Sequence, residues 1–544
     1  MDSSDDLFRR LEQLNAIGAA LSKERDIDRL LESILIAAKT ITHADGGTLY
    51  RMTEDGRALR FEILRTDSLH IAMGGTTGNA INFPNLPLIN DQGERNDSMV
   101  AAYAAIHDKT VNIADAYTEA GFDFSGTRSF DARTGYRSQS FLTVPMKNHE
   151  GEIIGVLQLI NALDPHTHGV RTFSSADQSL AESLASQAAI ALTNRLLITQ
   201  LEELFEAFIS LINLAIDEKS PYTGGHCQRV PALTMMLAEA ADATQEGPLA
   251  SFKMNERDRY ELKIAGLLHD CGKVTTPVHV VDKATKLQTL FDRIQLIDTR
   301  FEVLKRDAEL DALRKQLALR QNVNPTAEDD IWHTYQEEVR VLDEDREFLR
   351  KTNVGGEAMK DEDLQRVRDI GSGRKWRNVD AVETEFLTAD EVVNLTIRAG
   401  TLTLKERDVI NHHIVATIKM LEELPWPKHL TRVPEYAGGH HERMDGKGYP
   451  KGLTREQMSV QARMMGIADI FEALTARDRP YKHGMKLSQA MGIMGNFKKG
   501  GHIDPDLFDV FVKQGVYRRY AEQFLDAGQI DGVDEATLVQ VQEI

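Results

Sequence analysis

Between Phe173 and Pro221 the chain contains neither glycine nor proline. Those two residues most readily kink or end a helix, so the stretch predicts one long helix that divides the chain in two. Ser174 or Ser175 can cap its start, because a serine hydroxyl accepts from the first free backbone N–H groups. Along it Leu180, Leu184, Ile198, Leu201, Phe205, Phe208 and Ile212 recur at steps of three and four, or their sums. A helix this long buries such a stripe against a second helix. A parallel coiled coil joining two protomers, hence a homodimer, is the expected use. Docking of the helix on its own domains is the alternative.

Ahead of that helix, the signals alternate. Leu30, Leu31, Ile34, Leu35 and Ala38 share one helical face. GGTLYRM and ALRFEIL read as strands joined by a turn at Asp55-Gly56, and SFLTVPMKN and EIIGVLQLINA as a second pair joined at His149 to Gly151. This predicts an N-terminal helix over 1–25 and an antiparallel sheet with flanking helices, an α+β domain, over 26–173. The linker helix is expected over 174–212.

Residues 213–544 read as all-α. Within them 283–400 is a charged insertion. RFEVLKRDAELDALRKQLALRQ and DIWHTYQEEVRVLDEDREFLRK predict two amphipathic helices with a loop at Asn322 to Pro325. No chemistry is evident there, and a protruding helical hairpin is expected. The fold class is multidomain: an α+β domain, a long linker helix, and an all-α domain with a helical insertion.

The formal net charge is -20, and no basic tract stands out, so duplex nucleic acid is not an expected partner. An anionic substrate must be met by local positive charge from metal or a few lysines and arginines. Two cysteines, Cys227 and Cys271, exclude a disulfide framework and leave little room for a thiolate zinc site. They read as small buried hydrophobes. No apolar run approaches the ~20 residues that span a bilayer, and the start MDSSDDLFRR lacks an apolar signal core. A cytoplasmic protein is expected.

The second half holds histidines and carboxylates suited to metal-assisted hydrolysis, which needs such ligands and a group shared between ions. His226 lies in YTGGHCQRV. His269 and Asp270 close an apolar helix in ELKIAGLLHDCGK. His412 and His413 lie in KERDVINHHIVATIKML, His440 and His441 in GGHHERMDGKGYP, and Asp469 in MMGIADIFEALTARDRPYK. A lone His-Asp pair is weak evidence, and His107-Asp108 reads as a coincidence. His269 and Asp270 differ because Ile264, Leu267 and Leu268 look buried beside them. A buried carboxylate needs a partner.

HDCGK, HHERMDGKGYPKGL and ADIFEALTARDRPYK, taken in order, resemble the HD-GYP family of cyclic dinucleotide phosphodiesterases. The resemblance runs from about Leu211 to Phe511, interrupted by the insertion. It implies an HD-GYP phosphodiesterase domain over 213–544, with His226, His269, Asp270 and Asp469 at one metal and Asp270, His413, His440 and His441 at a second, Asp270 bridging. His413 is preferred to His412 because Glu406 and Met420-Leu421 then fall at the family's offsets. Some members hold a third metal through a glutamate one turn before the first histidine. Tyr222 stands there, so two ions are expected, of iron or manganese as the family often uses.

The resemblance also implies catalytic roles for Asp270 and Lys273, and phosphate contacts from Lys273, Arg479 and Lys482. Gly446, Gly448, Tyr449 and Pro450 form the turn that shapes the substrate pocket or meets a protein partner. The implied reaction is hydrolysis of cyclic di-GMP to pGpG, with GMP left open as a further product, by water held between the ions. Three alternatives stay open: preference for a cyclic GMP-AMP dinucleotide, a catalytically weak cyclic di-GMP sensor or scaffold, and a nucleotidase of the wider HD superfamily.

FDARTGYRSQSFLTVPMKNHEGEIIGVLQLINALD resembles GAF modules that precede cyclic-nucleotide phosphodiesterases. A GAF-like sensor domain is therefore expected over 26–173, completed by the linker helix. Its ligand is not readable. A bilin thioether is excluded because this half has no cysteine, and a haem would need one of His43, His70, His107, His149, His166 and His168.

Overall fold

A computed structural model describes residues 2–89, 93–219, 225–319, 325–356, 358–477 and 484–539. Tyr222, Arg479, Lys482 and part of the expected 322–325 loop lie outside the described residues. The chain forms two compact units, residues 1–205 and 206–544.

The first unit opens with α1 (Asp2–Leu21) and α2 (Ile27–Thr42). Strands β1 (Ala44–Met52), β2 (Ala58–Thr66), β3 (Ile71–Gly74) and β4 (Leu86–Pro87) follow, then α3 (Val100–His107), β5 (Val111–Ile113) and α4 (Ser125–Thr134). Next come β6 (Phe141–Lys147), β7 (Ile153–Leu163), β8 (Val170–Arg171) and the start of α5 (Ser175–Lys219). The sheet order is β3-β2-β1-β7-β6-β5, with β4 on β2 and β8 on β7, and every pairing is antiparallel. The four strands legible in the sequence are its centre, because their alternating apolar residues have a buried face to fill. Leu49, Leu142, Val144, Leu157 and Leu159 meet Leu31, Ile34 and Leu35 of α2 and Leu180, Leu184, Ala188 and Leu192 of α5 in one core. This is the expected α+β fold.

Ser174 caps α5: its Oγ accepts from Asp177 N–H, and its own N–H donates to Asp177. The helix runs for 45 residues. Beyond Leu192 its apolar stripe is uncovered, with Leu197, Leu201, Leu204, Phe208 and Leu211 all about half exposed or more.

Among the described residues the second unit is helical apart from one hairpin. It contains α6 (His226–Ala243), α7 (Glu256–Leu268), the 3-10 turn Cys271–Thr275 and α8 (Val278–Val281). The insertion follows with α9 (Ile294–Leu319), α10 (Pro325–Asn353), α11 (Asp361–Gly373), the strands β9 (Lys375–Arg377) and β10 (Glu383–Glu385), and α12 (Ala389–Leu395). After it come α13 (Leu404–Glu422), α14 (Val433–Gly438), α15 (Val460–Thr475), α16 (Leu487–Lys499), α17 (Pro505–Lys513), α18 (Val516–Phe524) and α19 (Glu535–Val539).

The insertion is more than the helical hairpin read from its charge pattern. The β9-β10 hairpin belongs to it, and Leu287, Ile297, Phe301, Leu349, Val367, Phe386 and Leu395 give it a core of its own. Those apolar residues are scattered over a hundred positions without a common period, which hid them. The Thr401 hydroxyl donates to the Lys283 carbonyl at 2.9 Å, so the entry and exit of the insertion meet.

Candidate metal centre

Five helices deliver the histidines and carboxylates. α7 ends at Leu268, so His269 and Asp270 project from its C-terminus just before the 3-10 turn. That turn lies directly on α13. A Cβ on Gly272 would sit 2.0 Å from the His413 carbonyl oxygen, and the Gly272 N–H donates to Thr417 Oγ1 at 2.9 Å. Only glycine allows this approach, and it brings Asp270 beside His413. α6 presents His226 as its first residue, α14 leads into His440 and His441, and α15 carries Asp469.

The result is two adjoining clusters of ligand type: His226, His269 and Asp270, and His413, His440 and His441. In the first, His226 Nε2 lies 3.0 Å from Asp270 Oδ2, 3.3 Å from His269 Nε2 and 3.4 Å from Asp469 Oδ1. In the second, His413 Nε2 lies 3.1 Å from His441 Nε2 and 3.3 Å from Asp270 Oδ1. Asp270 thus turns one oxygen to each. His412 is exposed whereas His413 is buried.

The protonation of three rings follows from their partners. His269 Nδ1 faces Gly266 O at 2.7 Å, His440 Nδ1 faces Ala437 O at 2.6 Å, and His413 Nδ1 contacts Ile410 O. A carbonyl can only accept, so each Nδ1 carries a proton, and in its neutral form each ring turns an Nε2 lone pair toward the centre. This is the usual support of a metal-ligating histidine. Among the described residues, two buried acceptors there, Asp270 Oδ1 and His440 Nε2, have no hydrogen-bond partner. Unpartnered buried acceptors converging on one place are unfavourable unless a cation lies among them. The donor set therefore fits metal ions.

Charge is distributed unevenly. Burial pushes His440 down to about 4, helped by His269 beside it, and pushes His441 well below the usual histidine range, helped by His440 and His413. Burial also opposes charge on His226, but the Glu472 and Asp270 carboxylates outweigh it and raise that ring to about 9. Asp270 is likewise opposed by burial, and Lys273 and His269 hold it well below the usual carboxylate range. Lys273 Nζ lies 2.5 Å from Asp270 Oδ2. Cys227 and Cys271 are buried, and burial lifts their thiols to about 12 and about 11, which leaves them protonated.

The glycine-rich turn folds over His441. Buried Glu442 accepts from the N–H of Lys451 at 2.7 Å and of Leu453 at 2.9 Å. Gly446 has φ 74°, and the Tyr449-Pro450 peptide is cis. The Tyr449 ring stacks on His441 with centroids 4.8 Å apart.

Sequence reading missed Glu442, Glu472 and Arg229. Glu472 stands three residues after Asp469, and Arg229 three after His226, so each shares a helix face with a candidate ligand. That spacing was the available signal.

A family profile for the GAF domain matches residues 26–192, and two for the HD domain match 223–328 and 388–507. A cyclic di-GMP phosphodiesterase of Pseudomonas aeruginosa is 37% identical over 147 residues, which is 27% of this chain and 34% of the relative. A 3'3'-cGAMP-specific phosphodiesterase of Vibrio cholerae is 46% identical over 81 residues, 15% of this chain and 19% of the relative. A cyclic di-GMP phosphodiesterase of Thermotoga maritima is 30% identical over 134 residues, 24% of this chain and 36% of the relative. The chain thus spans between 19% and 36% of the length of these curated relatives. The class is a GAF domain followed by HD domains. Within it, the chain is a distant homologue of cyclic di-GMP and cyclic GMP-AMP phosphodiesterases of the HD-GYP type. Among the described residues no helix is long and apolar enough to cross a membrane. His43, His70, His107, His149, His166 and His168 all stand at the surface, which gives none of them a buried haem pocket.

Proposed function

We propose that the chain is a metal-dependent phosphodiesterase that hydrolyses cyclic di-GMP to pGpG and onward to GMP, under control of its GAF domain. The observation that carries this reading is Asp270, which shares its two oxygens between two buried histidine clusters. His226, His269, Asp270 and Asp469 would hold one ion. Asp270, His413, His440 and His441 would hold the other. Divalent ions held there would supply Lewis acidity, activating water and offsetting charge on phosphate oxygens. Iron or manganese suits this nitrogen and oxygen donor set.

The chain's own residues do the rest. Asp270 fixes the spacing of the two clusters. His269, His413 and His440, each with Nδ1 on a backbone carbonyl, turn Nε2 toward the centre. Lys273, partly exposed and paired with Asp270, takes a phosphate oxygen, joined by Arg479 and Lys482. Gly446, Gly448, Tyr449 and Pro450 form the wall beside His441 and offer a surface for a protein partner.

The reading includes a homodimer through α5. Ile190, Asn194, Leu197, Leu201, Leu204, Phe208 and Leu211 follow alternating steps of four and three, the repeat of a left-handed coiled coil. One asparagine among apolar seam positions favours two strands in fixed register. A change of packing along α5 would carry the GAF signal to the helices that follow it.

The test is product analysis on metal-loaded protein, offered cyclic di-GMP and 3'3'-cyclic GMP-AMP in parallel, with Asp270→Ala as control. Linear pGpG and GMP from the wild type alone support the proposal. Turnover of the mixed dinucleotide in preference would move the substrate to the one named for the Vibrio cholerae relative. Binding of cyclic di-GMP without turnover of either would make the chain a sensor.

A further inference from the structure

The four supported imidazoles do not share one kind of support. His269, His413 and His440 each rest on a backbone carbonyl three residues earlier. His226 is the first residue of α6 and rests instead on a carboxylate: Glu472 Oε2 lies 2.5 Å from its Nδ1. Glu472 is only 1% exposed and comes from α15, which also carries Asp469. Its other oxygen, Oε1, accepts from Arg229 Nε at 2.8 Å and lies 2.7 Å from Nη2. Two pairs three residues apart therefore face each other across α6 and α15: His226 and Arg229 on one helix, Asp469 and Glu472 on the other.

Resting on the metal-centre reading above, we propose that Glu472, held in place by Arg229, is a positioning residue that aims His226 at one of the two metal ions and not at the other. A carboxylate on Nδ1 fixes the tautomer with its lone pair on Nε2 and makes that nitrogen a stronger donor. Arg229 keeps the carboxylate in place, so that its burial is compensated on both oxygens. Among the described residues the second cluster has no equivalent. His413 and His440 lean on neutral carbonyls, and His441 is stacked on Tyr449. Loss of Glu472 weakens one site while the other keeps its ligands and their support.

The experiment titrates manganese calorimetrically into chelator-stripped full-length protein and counts bound metal by mass spectrometry. Glu472→Gln keeps the volume and removes the charge. Glu472→Asp keeps the charge and shortens the reach. Thermal unfolding of the metal-free forms reports whether each variant folds, and Arg229→Lys probes the same contact from the other side should the Glu472 variants fail to fold. The expected result is two binding events in the wild type, and in Glu472→Gln one event unchanged and one weakened ~10- to 100-fold, the range usual for a lost partner of a ligating histidine. Glu472→Asp recovers part of that loss. Two events of wild-type affinity in a folded Glu472→Gln overturn the proposal, as does equal weakening of both. A wild type that takes up no metal overturns the metal-centre reading itself, a result distinct from either.

Discussion

Asp270 Oδ1 lies 3.3 Å from His413 Nε2, and that oxygen accepts no hydrogen bond among the described residues. An acceptor oxygen and a lone-pair nitrogen repel each other unless a cation sits between them. Asp270→Asn replaces one of these oxygens with an amide nitrogen and removes the charge the two clusters share. Both equivalents of metal should be lost together, and turnover should fall by at least ~10³-fold, about 4 kcal/mol of barrier. Metal counting and product analysis on one preparation check this. Retention of one ion would show that the clusters do not share Asp270.

Gly448 and Tyr449 make a separate prediction about the turn over His441. A Cβ on Gly448 would come within 2.4 Å of both Arg443 N and Glu442 Cα, and backbone cannot yield by that much. Gly448→Ala should displace the turn and raise KM ~10-fold or more, since misplaced contacts of this size carry such penalties. Tyr449→Phe keeps the ring on His441 and should stay within about twofold of wild type. Tyr449→Ala should not. The pair of tyrosine variants separates stacking from the hydroxyl, and steady-state kinetics reads it.

Asp177 makes the stability of the first unit depend on pH. It is fully buried, takes Arg10 and Arg171 on its two oxygens at 2.5 and 2.6 Å, and accepts from the Ser174 N–H. Burial raises its pKa, but the Arg171 and Arg10 hydrogen bonds and Ser174 outweigh that and bring it down to about 2. A depressed carboxylate stabilises the fold above its unfolded value, near 3.9, and the stabilisation is lost as pH falls toward the folded value. Asp177→Asn should therefore lower protection of α1 by about 2 kcal/mol at pH 7. The difference from wild type should close as the pH falls from about 4 to about 2. Hydrogen exchange in α1 follows it.

Lys283 ties the insertion to the helix that carries His413. Its side chain is 1% exposed, and its ammonium reaches Glu406 Oε2 at 2.8 Å and Asn394 Oδ1 at 2.9 Å. Glu406 in turn closes the capping box at the start of α13. Lys283→Met leaves Glu406 without its cation and should destabilise the second unit by ~3 kcal/mol, the scale for breaking a largely buried pair. Replacing residues 285–399 with a short glycine linker that keeps Lys283 should retain two metal ions. Calorimetric unfolding and metal counting distinguish the two variants.

The uncovered stripe of α5 predicts an oligomeric state. Leu201 and Leu204 are 67% and 54% exposed, an unfavourable exposure for adjacent seam positions. A joint Leu201→Asp and Leu204→Asp variant should be monomeric by light scattering where the wild type is dimeric. A monomeric wild type would return the stripe to a use within one chain.

Much of this architecture was legible because it rests on local rules. β1, β2, β6 and β7 alternate with a period of two, and α5 lacks the residues that stop a helix. The seven candidate ligands were found by motif, and the structure brings them together around Asp270. Residues whose role depends on distant partners were not legible. Glu472 meets His226 across 246 positions, and Lys283 meets Glu406 across 123. The three-residue step from Asp469 marks the helix face of Glu472 but not its partner, and nothing local marks the Lys283 contact. The insertion's core escaped for the same reason, since Phe301 and Phe386 come together only after the chain has doubled back. The charge pattern showed the solvated faces of α9 and α10 and nothing of what lies beneath them.

The carbonyl contacts of His269, His413 and His440 have a kinetic consequence. Each ring takes its direction from an oxygen three residues earlier in its own segment, so the donors are aimed before any ion arrives. The ordering entropy of those side chains is then spent during folding and not at capture. Metal uptake by a centre built this way should be governed by how quickly an ion sheds its hydration water. The bound ion should then be held with little rearrangement of the protein around it.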